Sequence, residues 1–530
     1  MSKYEDEKQV PLNDGPKEFD PNKPPGDFSE HAITIAWRKL TYWWGSALTL
    51  FSFIIMIYTI SKQWNNPPWS QTKSHPVLEL ICFFFMLGWI ALLEGAQISI
   101  VGLQGIDFEQ YRHSHPRAYA ALKVVHAGPN VERFLVGRQF LLLFNGFLMS
   151  KVSGAADQGH NFYIGDWEWS AEATQFFWLN SVLLMVVIIS LGQLPTQLLA
   201  ADKMLGFFDL HYYALYTIVY PCLFVESIGL THSSYLLKDL CCIIGRIDRS
   251  TEDPAKKMNK NFLYYLRCFI SVCAVIFSFT FIVKGLALRQ TAATDGVGWY
   301  KLPGWAAVIL TIFFLFIMAC AEGLQVSALA LAQVPSHEYK NKAPLAYRLC
   351  QIMFAGRNMQ AFLVGRQAMV AMMMILLARV TSYAGSDGIL VSGTDWGMGE
   401  GFNKGLLQTG FLGAILVVNV AQLASQVLAS LFPIPVINNT LMRVLLNIML
   451  FIEASGVVNA CWPLTWLLDA MTGLPKDPFW GDDAVNTPAT GIIDRKKSMG
   501  IPMQKGVTPF DLHQPESEYH IDYTYKVSYI

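Results

Sequence analysis

The sequence predicts an all-α polytopic membrane protein, with ten transmembrane helices arranged as two five-helix inverted-topology repeats. Three observations carry that prediction. Ten apolar segments are long enough to cross a bilayer, which takes about 20 residues per helix. Two polar phrases recur at one constant offset: Glu94-Gly95-Ala96-Gln97 returns 228 residues later as Glu322-Gly323-Leu324-Gln325, and Gly137-Arg138-Gln139 as Gly365-Arg366-Gln367. Five spans per copy is an odd number, so the second copy must cross the membrane in the opposite sense from the first.

Composition agrees. Of 530 residues 53% are hydrophobic and 15% charged, and the mean hydropathy is +0.33, well away from soluble domains. A formal net charge of −1 gives no reason to invoke a nucleic-acid partner. The nine cysteines show no metal-ligand spacing and read as small buried hydrophobes rather than as metal ligands. Residues 1–41 are polar and rich in proline (Pro11, Pro16, Pro21, Pro24 and Pro25), a flexible tail expected on the cytoplasmic side.

The first repeat, 42–230, holds apolar segments at 42–60, 77–97, 134–150, 176–200 and 210–230. The second, 262–468, holds them at 262–286, 304–331, 362–379, 406–431 and 441–467. The match extends beyond the two phrases. Phe134–Arg138 is repeated in Phe362–Arg366, Gln193 and Gln197 return as Gln422 and Gln426, and Glu226 returns as Glu453. Pro195 and Pro221 lie inside segments, where a proline either interrupts a helix or is tolerated.

Between the copies, 231–261 carries Leu236, Leu237, Leu240, Ile243, Ile244 and Ile247 at helical spacing, as an amphipathic interfacial helix would. With the N-terminus inside, this basic linker falls outside, against the positive-inside rule. The tail 469–530 is polar and expected in the cytoplasm; its end alternates Tyr519, Ile521, Tyr523, Tyr525, Val527, Tyr529, as a strand would, within a stretch whose composition reads first as disordered.

The polar phrases carry the chemistry. A charge costs about 2.5–3.5 kcal/mol at mid-membrane even on the lenient insertion scale, so Glu and Arg at lipid depth imply a built site. In Glu-Gly-x-Gln the carboxylate and amide share one helix face, and the glycine admits a close neighbour. Arg138 and Arg366 can neutralise Glu94 and Glu322. The set offers donors and acceptors together, since amides supply both, arginine only donates and carboxylate only accepts. That mixture suits a small, neutral, multiply hydroxylated solute. Glu226 and Glu453 lack an evident partner in the sequence and are candidate ligands for a coupling Na⁺ or H⁺. No nucleophile–base pair or metal cluster argues for an enzyme.

The doubled Glu-Gly-x-Gln and Gly-Arg-Gln pattern on two five-helix halves resembles the silicon transporter family of diatoms and other silicifying algae and protists. The resemblance spans roughly 42–467 and implies uptake of silicic acid together with Na⁺, with no other cofactor. It nominates Glu94, Gln97, Arg138, Gln139, Glu322, Gln325, Arg366 and Gln367 as substrate-binding. It leaves the plasma membrane or a silica-depositing internal membrane as the location, and the lipid bilayer as the surrounding partner. Some members of the family end in a coiled coil, whereas no heptad follows Asp469 here. A symporter of another polyhydroxy solute such as boric acid, or a passive channel, fits the same residues.

Overall fold

A computed structural model describes residues 32–65, 75–104, 107–153, 163–164, 167–170, 173–174, 177, 182–245, 260–291, 294, 303–331, 334, 339–355, 358–383 and 402–475. The proline-rich start, Ile247 and the alternating tyrosines at the end lie outside them. Among the described residues the chain is helical apart from a two-residue antiparallel hairpin, Tyr163–Ile164 with Trp167–Glu168, and an isolated bridge between Thr291 and Tyr383.

The helices fall into two runs of matching order. The first comprises α1 (Ala32–Ser61), α2 (Pro76–Gly102), α3 (Pro116–Val125), α4 (Asn130–Ser153), α5 (Val182–Asp202), α6 (Met204–Phe208), α7 (Leu215–Ile228) and α8 (Ser233–Gly245). The second comprises α9 (Phe262–Ala287), α10 (Gly304–Leu331), α11 (Pro344–Met353), α12 (Asn358–Thr381), α13 (Gly405–Leu431), α14 (Pro433–Ile437), α15 (Thr440–Ala454) and α16 (Cys461–Thr472).

Seven of these are long and apolar enough to cross a membrane: α1, α2, α5, α9, α10, α12 and α13, with α7 a shorter apolar helix. The rest of the ten expected segments differ for identifiable reasons. Helix α4 has the length, at 24 residues, but Glu132, Arg133, Arg138 and Lys151 lower its hydropathy. The fifth and tenth segments are cut short where the chain turns left-handed, at Gly229 (φ 95°) and Gly456 (φ 81°), a conformation that glycine adopts without a Cβ clash.

Local signals set the helix starts. Asn261 caps α9 and Asn439 caps α15, each side-chain oxygen accepting a backbone N–H three residues on at 3.0 Å. The short amphipathic α3 and α11 are capped from a distance. Asp209 Oδ1 accepts from the amides of Arg117 and Ala118 at 2.8 and 2.9 Å, and Asn438 Oδ1 from Leu345 and Ala346 at 3.2 and 3.1 Å. Helix α8 turns Leu236, Leu240, Ile243 and Ile244 outward and buries Tyr235, Cys241 and Cys242.

Burial sorts the helices into layers. Over its apolar window α12 is 78% buried, whereas α9 is 28% buried. Helix α4 buries both faces of its middle turns, Phe140 to Leu143 among them, and packs directly on α12. These two form the centre. The outer helices present Trp43, Phe85, Phe262, Trp305 and Phe313 outward, an apolar surface suited to lipid. One cluster joins the copies, with Val364, Ala368, Ala371 and Ile375 of α12 among Met56, Leu142 and Val187.

Candidate functional site

The central helices bring the paired phrases together. Glycine makes the approach possible: a Cβ at Gly137 would run into the carbonyl oxygen of Cys222 on α7, and one at Gly365 into that of Met449 on α15. With these helix pairs in backbone contact, the neighbouring arginines are carried into the interior, 3% and 6% exposed.

In the first copy the arginine is fully engaged. Arg138 Nη2 donates to Glu94 Oε2 at 2.5 Å, Nη1 to Gln139 Oε1 at 2.9 Å, and Nε to the Leu93 carbonyl at 3.3 Å. Gln197 of α5 also donates to Glu94 Oε2. Across the boundary between copies, Gln367 Nε2 of α12 donates to Gln193 Oε1 at 3.0 Å and to Glu94 Oε1 at 3.4 Å.

The second copy repeats part of this. Arg366 Nη2 donates to Gln367 Oε1 at 2.5 Å, and its Nη1 lies 3.5 Å from Glu322 Oε1. Gln426 Nε2 of α13 donates to Glu322 Oε2 at 3.0 Å. The result is one continuous polar chain, from Gln426 through Glu322, Arg366, Gln367 and Glu94 to Arg138 and Gln139. It holds two carboxylates and two guanidiniums, so the formal charge cancels where burial makes an unpaired charge costly.

Six of the eight nominated residues therefore meet: Glu94, Arg138, Gln139, Glu322, Arg366 and Gln367. Gln97 and Gln325 do not join them. Each is half-buried, one turn along from its glutamate, and has no hydrogen-bond partner among the described residues.

Gln193, Gln197 and Gln426 enter the network from α5 and α13, whose glutamines mark the repeat in the sequence without being nominated for the site. The signal was their four-residue spacing on one face. Both helices widen there into a π-turn, at Ile188–Gln193 and Val417–Leu423, a feature that recurs at functional sites. Pro195 follows the first π-turn without interrupting the helix. Ala424 follows the second, so proline is not the common cause. By contrast, the π-turn Leu215–Val219 directly precedes Pro221, and α15 has neither.

Glu226 and Glu453 stand outside the chain. Glu226 is fully buried, and its Oε2 receives Arg133 Nε and Nη2, each at 2.8 Å. His232 Nε2 lies 3.4 Å and the Tyr235 hydroxyl 3.5 Å from its Oε1. Glu453 is half-buried, and Ala361 occupies the position matching Arg133. Among the described residues no group of three His, Cys, Asp or Glu side chains could hold a metal ion.

With helices making up nearly all of its described residues, seven membrane-crossing candidates and an ionisable polar chain between them, the molecule is an integral membrane protein with a polar centre. A family model described as Silicon transporter matches residues 33–510. The chain belongs to the silicon transporter family, whose activity points to silicic acid as the solute carried and to a transporter rather than an enzyme. No curated protein and no solved structure matches it.

Proposed function

We propose that this protein takes up silicic acid by sodium-coupled alternating access. In this reading ten transmembrane helices form two five-helix repeats of inverted topology, and the two halves rock about the central polar chain. The observation that carries it is the composition of that chain: buried, near-neutral in sum, and rich in both donors and acceptors. Silicic acid is uncharged near neutral pH and presents four hydroxyls, each able to donate and accept. A hydroxyl can therefore replace a protein amide in such a chain without leaving a polar group unpaired, which would otherwise cost about 1–3 kcal/mol. Gln97 and Gln325, unbonded and half-buried beside it, offer four further donor and acceptor groups.

Because the solute is neutral, the membrane potential does no work on it, and uphill uptake draws on a coupled ion. Glu226 and Glu453 are the carboxylates assigned here to Na⁺. At Glu226 the ion would bind Oε1, whose contacts to the Tyr235 hydroxyl at 3.5 Å and His232 Nε2 at 3.4 Å are longer than the 2.8 Å contacts of Arg133 on Oε2. The plasma membrane is the expected site of uptake.

The test is silicic acid uptake into proteoliposomes with and without an inward Na⁺ gradient. Accumulation that follows the gradient is expected, and Glu94→Gln or Glu322→Gln should abolish or uncouple it. Equilibration indifferent to Na⁺ would make the protein a channel. Uptake of boric acid in preference to silicic acid would change the substrate, and unaltered transport in both variants would remove the carboxylates from the site.

A further inference from the structure

The two copies of the polar site are not bonded alike. Gln193 of the first copy has its side-chain oxygen satisfied by Gln367 at 3.0 Å. Its counterpart in the second copy, Gln422, is 2% exposed, and its Oε1 has no hydrogen-bond partner. The matching crossing amide, that of Gln139, does not reach it. Arg138 Nε donates to the Leu93 carbonyl, whereas Arg366 Nε is buried without a partner. So the polar site of the second copy holds one orphan acceptor and one orphan donor.

Glu322 links the helices that carry them. Gln422 and Gln426 lie four residues apart on α13, as Gln193 and Gln197 do on α5, where both face the Glu94 cluster. Gln426 binds Glu322, and Glu322 is the ion-pair partner of Arg366. The π-turn bearing Gln422 packs on α10, which carries Glu322, and on α4, which carries Gln139. The wall there is also thinner. Phe207 fills the space against Gly95, whereas Val436 stands at the matching position, 3.7 Å from where a Cβ on Gly323 would lie.

A buried amide oxygen and a buried guanidinium N–H left unmade cost free energy unless a ligand completes them. A hydroxyl does both at once, donating to the oxygen and accepting from the N–H. We propose that Gln422 is a substrate-binding residue, and that a hydroxyl of the neutral solute bonds Gln422 Oε1 and Arg366 Nε in the second copy. Gln193, held by Gln367, serves a structural role in the same arrangement. The assignment rests on the reading of the protein as a silicic acid transporter.

Paired substitutions test it. Gln422→Leu removes an acceptor that no protein group uses, so its thermal stability in detergent should match or exceed wild type. Its KM for silicic acid uptake into proteoliposomes should rise about tenfold, the loss of one hydrogen bond to a neutral donor. Gln193→Leu breaks a protein hydrogen bond, so it should melt at lower temperature with a smaller change in KM. Gln422→Leu with wild-type KM, or the opposite pattern across the pair, overturns the inference while leaving the transport reading intact. Wild-type protein that is folded yet carries no silicic acid overturns both.

Discussion

Glu94 accepts hydrogen bonds from Arg138, Gln197 and Gln367, while Glu322 accepts one from Gln426 and meets Arg366 only at 3.5 Å. The motifs supplying these groups are the same, so the difference arises in the packing around them. Gln367 reaches across the boundary between copies and Gln139 does not. Phe207 presses on the first glycine, and the smaller Val436 stands off from the second. A sequence repeat thus specifies which groups enter the membrane interior. The shape of the neighbours decides which of two equivalent bonds is made.

The largest expected effect comes from removing each arginine in turn. Arg138→Ala would leave Glu94 buried without its guanidinium, and breaking a buried pair in this way costs about 3–5 kcal/mol. Arg366→Ala should cost less, because a contact at 3.5 Å gives up less attraction than one at 2.5 Å. Thermal unfolding of the two variants in the same detergent reads the difference. Equal losses would mean that the two copies carry the same electrostatic load, and the comparison drawn from their geometry would fail.

Glycine separates what the copies share from what they do not. Gly137→Ala and Gly365→Ala each drive a Cβ into a backbone carbonyl of the packed helix, so both should lose folded protein to a similar degree, by about 1–3 kcal/mol or more. Gly95→Ala meets the buried ring of Phe207, whereas Gly323→Ala meets nothing closer than 3.7 Å. Gly95→Ala should therefore lower the melting temperature, and Gly323→Ala should leave it within a degree or two of wild type, on the order of the usual ±0.5 kcal/mol. Parity within the second pair would show that Phe207 yields freely.

Much of this was legible in the residues. The duplicated Glu94/Glu322 and Arg138/Arg366 phrases announced themselves because a charge at lipid depth needs a partner, and the partner was in the same repeat. The helical class followed from hydropathy. What stayed hidden depends on three-dimensional packing. The π-turns at Gln193 and Gln422 have no common sequence cause, since proline follows only one. Arg133 as the partner of Glu226 was equally hidden, because it sits 93 positions away at the edge of a segment and has no counterpart at Ala361. The loose state of the second copy depends on the bulk of Phe207 against Val436, which a repeat alignment treats as an ordinary apolar exchange.

The smallest effect at neutral pH concerns the outlying carboxylates, around which the copies differ in composition. Around Glu226 stand Arg133, His232, Tyr235 and Arg267, whereas Asn459 and Trp462 occupy the positions matching His232 and Tyr235. Burial, with repulsion from Arg267 and Arg133, pushes His232 down to about 4, so the ring is neutral in the folded protein at neutral pH. An unfolded histidine titrates near 6.5. The unfolded chain therefore binds the extra proton first, and this group's contribution to stability is present above about pH 6.5 and lost as pH falls toward 4. His232→Asn installs the second copy's residue and removes that proton site. Compared with wild type, its melting temperature should fall less between pH 6.5 and 4, against a background of carboxylate titration common to both. Parallel pH profiles would show that His232 is solvated in the folded state, and that the first copy's carboxylate is no better sealed than the second's.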